Sequence, residues 1–255
     1  MPAFVILLKG RAGDVLLYGH RGARGEAPEN TEAGFRYARA LYLDGVQLDV
    51  RLSTDHELVV IHDETVDRTT TARGSVSRMK AAKLASLDSR AAFPDWPEAT
   101  GIPTLDDALD ACSGIQRLIV SIQRDTPKRL RTACELVAET FERRWIADRV
   151  LVMSTSEPAL ELLATIAPFF PRALAGWFEQ LEGLKAAHRL GCRQIAVPHT
   201  LGSASLVQSA HDLDLAVIGW LANTAEDVHA CAAWGVDSIV SDFPTIARRG
   251  LAALP

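Results

Sequence analysis

The stretch "GVQLDVRLSTDHELVVIHD", residues 45–63, decides how the chain is read. On an extended strand, residues two apart face the same side. Gln47, Asp49 and Arg51 therefore share one face, and Val46, Leu48, Val50 and Leu52 share the other. The following "ELVVIHD" reads as a second strand ending on His62. A carboxylate on one strand and a histidine at the end of the next are the makings of a hydrolytic site. Gln47 beside Asp49 is the odd residue, because metal chemistry there calls for a second carboxylate.

Working outward, short aliphatic runs alternate with helical-period segments almost to the end. Strands are predicted at 14–19, 45–52, 117–123, 149–154, 172–177, 193–198, 215–220 and 237–242. Helices are predicted at 30–43, 104–112, 126–145, 157–166, 179–190, 203–213, 224–234 and 244–251. Asn30 and Thr224 are read as caps, and Gly191 and Gly235 as C-terminal stops. Nearly continuous apolar strands, each followed by a helix, indicate parallel strands buried on both faces. Eight such units in 255 residues fit a TIM (β/α)8 barrel forming a single domain, 1–255. A doubly wound open sheet is the competing arrangement. The one interruption follows the second strand, where residues 63–103 form an insertion over the active-site face, of the length that usually carries function.

Composition limits the partners. The chain is 48% apolar and 23% charged, ordinary for a globular protein with a substantial core. A formal net charge of −5 without a Lys/Arg block argues against nucleic acid or a polybasic membrane anchor and leaves a small-molecule ligand. Cys112, Cys134, Cys192 and Cys231 are too widely spaced for a metal clamp or a disulfide framework, which fits a reducing cytoplasm. The N-terminal "MPAFVILLKG" lacks a basic start and a cleavage site and is read as a strand or plug, and no run approaches the roughly 20 apolar residues of a membrane span. Oligomeric state is not legible.

In a barrel the site gathers at the C-terminal ends of the strands. The polar residues there are His20, Arg21, Gln47, Asp49, His62, Asp63, Ser121, Gln123, Ser154, Thr155, His199, Asn223 and Asp242. The segments "GHRGARGEAPENTEAGF" (19–35), "GVQLDVRLSTDHELVVIHDETVDRTTTARGSV" (45–76), "IPTLDDAL" (102–109) and "GVDSIVSDFP" (235–244) resemble the glycerophosphodiester phosphodiesterases in order and spacing. The resemblance covers nearly the whole chain. It implies a TIM barrel hydrolysing glycerophosphodiesters to glycerol phosphate and an alcohol, with two histidines, a carboxylate-held divalent cation and basic residues on the phosphate. The histidines fall on His20 and His62, which suit general acid and base work near neutral pH. Arg21 falls on the phosphate-binding arginine, whose planar fork suits two phosphate oxygens.

The departures are grouped. Where the resemblance implies Glu-x-Asp as cation ligands, the chain has Gln47 and Asp49; where it implies Glu-x-Lys, it has Ser121 and Gln123. Asp49, Gln47 and Ser121 remain the candidate ligands for Mg2+ or Ca2+, with weak binding expected because one charged oxygen donor is left of three. The substrate-binding candidates are Arg21, Gln123 and Trp220; Trp220 or Trp177 forms an apolar wall or fills the core. Arg51 either reaches the phosphate or snorkels to solvent, Asn223 caps the next helix or touches ligand, and Asp63 or Glu64 orients His62. Arg68 is read as a loop anchor, and His188, His211 and His229 as helix residues that face solvent or satisfy local hydrogen bonds. Three functions follow: hydrolysis with weakened or altered metal dependence, a catalytically impaired protein that binds phosphodiesters, or a sphingomyelinase-D-like lyase.

Overall fold

A computed structural model describes residues 15–176 and 181–254. The strand or plug expected at the N-terminus and Trp177 lie outside the described residues. The strands are β1 (Leu16–His20), β2 (Gly45–Leu52), β3 (Leu58–Val60), β4 (Arg117–Ile122), β5 (Val150–Ser154), β6 (Arg172–Ala175), β7 (Gln194–Pro198), β8 (Ala216–Trp220) and β9 (Ser238–Ser241). The helices are α1 (Glu32–Ala40), α2 (Ala81–Ala85), α3 (Leu105–Ala111), α4 (Pro127–Arg143), α5 (Glu157–Ile166), α6 (Leu181–Arg189), α7 (Ala204–His211), α8 (Ala225–Trp234) and α9 (Pro244–Ala252).

Strand β1 pairs in parallel with both β2 and β9, which closes eight parallel strands into a ring. Closure rules out the open sheet and gives the TIM barrel. The alternation of each strand sorts its side chains into two cores. Val46, Leu48, Leu118, Val120 and Val152 face outward and pack with Phe35, Phe141 and Leu160 of the helices. Leu16, Tyr18, Ile119, Leu151, Met153, Ala196, Ile218 and Val240 fill the interior. Two residues further along β1, β4 and β9 the same inward parity brings His20, Ser121 and Asp242. The ladder sets Gln47 opposite both His20 and Ile119, and Asp49 opposite Ser121. The barrel therefore changes from an apolar filling to a polar mouth along single strands.

Two sequence expectations are corrected. Strand β3 does not run on to His62: it lies outside the ring, antiparallel to β2, with Val50 opposite Val60. It ends two residues before His62, which sits in the turn beyond it. Asn30 does not cap α1. Thr31 does, its Oγ1 accepting from Gly34 N at 3.0 Å, while Asn30 takes a positive φ of 52°. Thr224 caps α8 as expected, with a full capping box, and Gly235 ends that helix in the left-handed region at φ 83°. The segment after β2 is less irregular than its composition suggests, since Val59, Ile61, Val66, Val76, Leu84 and Ile102 form an apolar cluster of their own. All four cysteines are buried and unpaired. No helix among the described residues is long and apolar enough to cross a membrane.

Gly19 shows how tightly the mouth is drawn. A Cβ there would lie 1.8 Å from the backbone oxygen of Gly22, in the turn that folds back from β1. Gly19→Ala is expected to cost about 1–3 kcal/mol or more, read as a lower thermal midpoint. A variant that melts with the parent would contradict this packing.

Candidate active site

His20 ends β1 at 3% exposure, and its Nδ1 lies 2.6 Å from Asp242 Oδ1. Burial lowers the basicity of the imidazole against the opposing pull of the Asp242 hydrogen bond, and the charge of Arg21 lowers it further. Burial alone would raise the Asp242 carboxyl, but the hydrogen bond and charge of His20, with Arg24 and Asn223, outweigh it and hold it below the usual carboxylate range. A neutral imidazole beside an ionised carboxylate makes Nδ1 the donor, so Nε2 carries the lone pair. Among the described residues Nε2 has no protein partner. Asn223 fixes the carboxylate, donating from Nδ2 to Oδ2 at 3.0 Å and accepting from Asp242 N at 2.8 Å. Asn223 is thus a brace for Asp242 and not a helix cap. Trp220 stands edge-on to His20, ring centres 6.4 Å apart.

Asp49, 2% exposed, is the centre of a second cluster. Its Oδ1 accepts from Gln47 Nε2 and Gln123 Nε2, each at 2.8 Å. Its Oδ2 accepts from Asn30 Nδ2 at 3.0 Å, and Arg21 Nε forms an ion pair with it at 3.1 Å. The amide orientations are determined by second contacts. Gln47 Oε1 accepts from Arg21 N at 3.1 Å and Asn30 Oδ1 from Asp49 N at 3.3 Å, so reversing either amide would set like atoms together. Ser121 is buried beside them, 3.4 Å from Gln123 Nε2.

This donor set does not fit a divalent cation. Hard cations take oxygen ligands, whereas the groups facing Asp49 present amide and guanidinium N–H. Among the described residues no group of three or more His, Cys, Asp or Glu side chains is placed to hold a metal ion.

His62 lies further out, its side chain 41% exposed, with Nδ1 2.7 Å from Asp63 Oδ1. Asp63, not Glu64, orients the ring. Arg68 grips Asp63 and, on its other side, Glu29, whose Oε1 accepts from Arg21 Nη1 at 2.8 Å. Charged groups of alternating sign thus connect His62 to Asp49. Burial alone would lift the Glu29 carboxyl, but hydrogen bonds from Arg68 and Arg21 hold it at about 2. Asp63 is held well below the carboxylate range by Arg68 and His62 against its own desolvation.

Other expected residues fall elsewhere. Arg51 is tied to loop backbone: its Nε donates to His62 O at 2.7 Å and its Nη1 to Arg124 O at 3.1 Å, making it a strut between loops. His199 stands 3.4 Å from Asp227 on the rim. His211 bonds Asp237 at 2.8 Å and His229 the Gly250 carbonyl at 3.1 Å, both local contacts. Glu29 and Asn30 were not singled out as site residues; the only signal was the "PENT" motif that contains them.

The fold and this mouth define a (β/α)8 barrel with one histidine at the end of a ring strand and a second in the segment after β2, each on a carboxylate, with a buried arginine between the clusters. Residues 20–246 match the glycerophosphoryl diester phosphodiesterase family, and the chain belongs to it. A glycerophosphodiester phosphodiesterase of Caldanaerobacter subterraneus is 29% identical over 240 residues, 92% of this chain and 98% of that one. The solved structure of a glycerophosphodiester phosphodiesterase from Agrobacterium tumefaciens superimposes with a TM-score of 0.77 at 26% identity, covering 92% of this chain and 100% of the other. A phosphodiesterase of Oleispira antarctica, solved with the product sn-glycerol-3-phosphate, shares the fold at a TM-score of 0.88 and 22% identity, covering 98% and 99%.

Glu29 makes the arginine network measurable. Its carboxyl sits at about 2 in the folded chain, against about 4.3 when unfolded. The stability it contributes is therefore full above the unfolded value and is lost as pH falls toward the folded one. Glu29→Gln should lower stability near neutral pH and flatten the loss between about pH 4.5 and 2, followed by urea midpoints at stepped pH. Identical acid limbs in the two proteins would contradict the assignment.

Proposed function

We propose that the chain hydrolyses glycerophosphodiesters to glycerol phosphate and an alcohol in the cytoplasm, with His20 and His62 as general base and acid. The observation that carries this reading is the buried His20–Asp242 pair, which presents an unprotonated Nε2 beside Arg21. In this scheme Nε2 of His20 takes a proton from the attacking water as its oxygen bonds phosphorus. The bond from phosphorus to the alcohol oxygen breaks, and His62 returns a proton to that oxygen. Arg21 offers Nη2 to a phosphate oxygen, since Glu29 and Asp49 engage its other nitrogens. Gln123 and Trp220 complete the substrate wall. The named activity of the relatives and the glycerol phosphate held by the Oleispira enzyme support this substrate class.

Metal dependence is weak in this reading. The N–H groups of Gln47, Gln123, Asn30 and Arg21 supply the positive field at Asp49 that a cation supplies among carboxylates. Asp49, Gln47 and Ser121 stand at the candidate cation positions, and with only the first charged and its oxygens taken by N–H groups they do not fit Mg2+ or Ca2+.

Purified chain is expected to release glycerol phosphate from glycerophosphocholine or glycerophosphoethanolamine and to keep most of its rate in EDTA. His20→Ala and His62→Ala should each lower kcat by about 100-fold or more. Combining Gln47→Glu, Ser121→Glu and Gln123→Lys should make the rate depend on added Ca2+ or Mg2+. Binding without turnover by the parent would favour the impaired-enzyme reading, and release of a cyclic phosphate alone would favour the lyase.

A further inference from the structure

Arg68 stands on the segment after β2, far from the barrel interior, with its side chain 45% exposed. Its guanidinium nevertheless has two engaged sides. Nε and Nη2 reach the two oxygens of Asp63 at 2.7 and 3.1 Å, and Nη1 and Nη2 reach the two oxygens of Glu29 at 2.7 and 2.9 Å. Each carboxylate in turn holds one of the groups assigned to the reacting phosphate: Asp63 holds Nδ1 of His62 at 2.7 Å, and Glu29 holds Nη1 of Arg21 at 2.8 Å.

We propose that Arg68 is a positioning residue, which sets the His62 ring against Arg21 by gripping Asp63 and Glu29 with one planar fork. The proposal rests on the reading of His62 and Arg21 as the groups that meet the phosphodiester. The fork matters because a guanidinium carries five donors in one plane and can serve two carboxylates bidentately, whereas an ammonium is a point charge with no such plane. The charge matters separately. Glu29, Asp63 and Asp49 bring three negative charges toward Arg21, and Arg68 is the second arginine offsetting them. Without it the groups around Arg21 carry two excess negative charges instead of one, which disfavours an anionic substrate. A mere anchor for the loop would act through stability alone, and half-exposed ion pairs contribute little of that.

The two roles separate by substitution. Arg68→Lys keeps the charge and loses the fork, so kcat should fall about 10-fold or more while KM stays within about twofold of the parent. Arg68→Ala loses both, so KM should rise as well and kcat/KM should fall about 100-fold. Millimolar guanidinium should restore part of the Arg68→Ala rate, because the vacated site is open to solvent. The thermal midpoint of Arg68→Ala should drop by no more than about 2–4 °C. The ring 15N shifts of His62, assigned by their loss in His62→Gln, give a readout that needs no turnover. They should move in Arg68→Ala and return toward the parent values with guanidinium. A chain that shows no hydrolysis of any phosphodiester would sink the proposed function, and the His62 shifts would then decide on Arg68 by themselves. Unmoved His62 shifts, or a rate loss that follows the thermal midpoint and ignores guanidinium, would overturn the proposal.

Discussion

A carboxylate buried in a barrel mouth must be compensated, since desolvating an unpaired charge costs several kcal/mol. Asp49 meets this with hydrogen bonds from Gln47, Gln123 and Asn30 and an ion pair with Arg21. The rest of the site is arranged by these contacts. Gln47, with its amide nitrogen on Asp49, must turn its oxygen to Arg21 N, which supports the turn where Arg21 takes a φ of 52°. Asn30, with its nitrogen on the same carboxylate, takes the backbone N–H of Asp49 on its oxygen. That draws the loop before α1 over the barrel mouth and sets Glu29 on Arg21. One buried charge thus orders three segments that are distant in sequence.

The two imidazoles occupy unlike surroundings. His20 is enclosed by the barrel and by Trp220, and its carboxylate partner is 222 residues away in the chain. His62 is half-exposed, on a segment with its own small apolar core, and its partner is the next residue. A buried imidazole that resists protonation suits a base, and an exposed one that exchanges protons with water suits an acid to be replenished each turnover. The asymmetry follows from topology: His20 ends a strand of the ring, whereas His62 follows an antiparallel strand outside it.

The barrel was legible because burial on both strand faces leaves continuous apolar runs, and eight of these with helices between them admit few architectures. Closure itself was not, because the pairing of β1 with β9 joins the two ends of the chain and leaves no local mark. His20, Asp49 and His62 could be picked out by residue type and parity. The bracing of Asp49 by Asn30 and of Asp242 by Asn223 could not, since both asparagines sit just before a helix, where a cap is the ordinary use of the residue. Their partners, Asp49 and Asp242, are each 19 residues away across the sheet. The bonds of Arg51 to two loop carbonyls were equally hidden, since parity on β2 gives the side a residue faces and not the backbone groups that loops bring to it.

Gln47 and Gln123, at positions where the family resemblance implies charged groups, share one partner. Both amide nitrogens converge on one oxygen, Asp49 Oδ1, at 2.8 Å, so each depends on the carboxylate being free of any competing cation. A glutamate at 47 with the other positions unchanged would face Asp49 across hydrogen-bond distance with Arg21 as the nearest offset. One carboxyl of the pair would then take up a proton or recruit a metal. A lysine at 123 beside Gln47 would instead leave Asp49 overcompensated and a buried ammonium short of oxygens. A single change at 47 or 123 therefore carries a cost that the amide pair avoids, because Asp49 Oδ1 keeps its two hydrogen bonds only while both amide nitrogens face it.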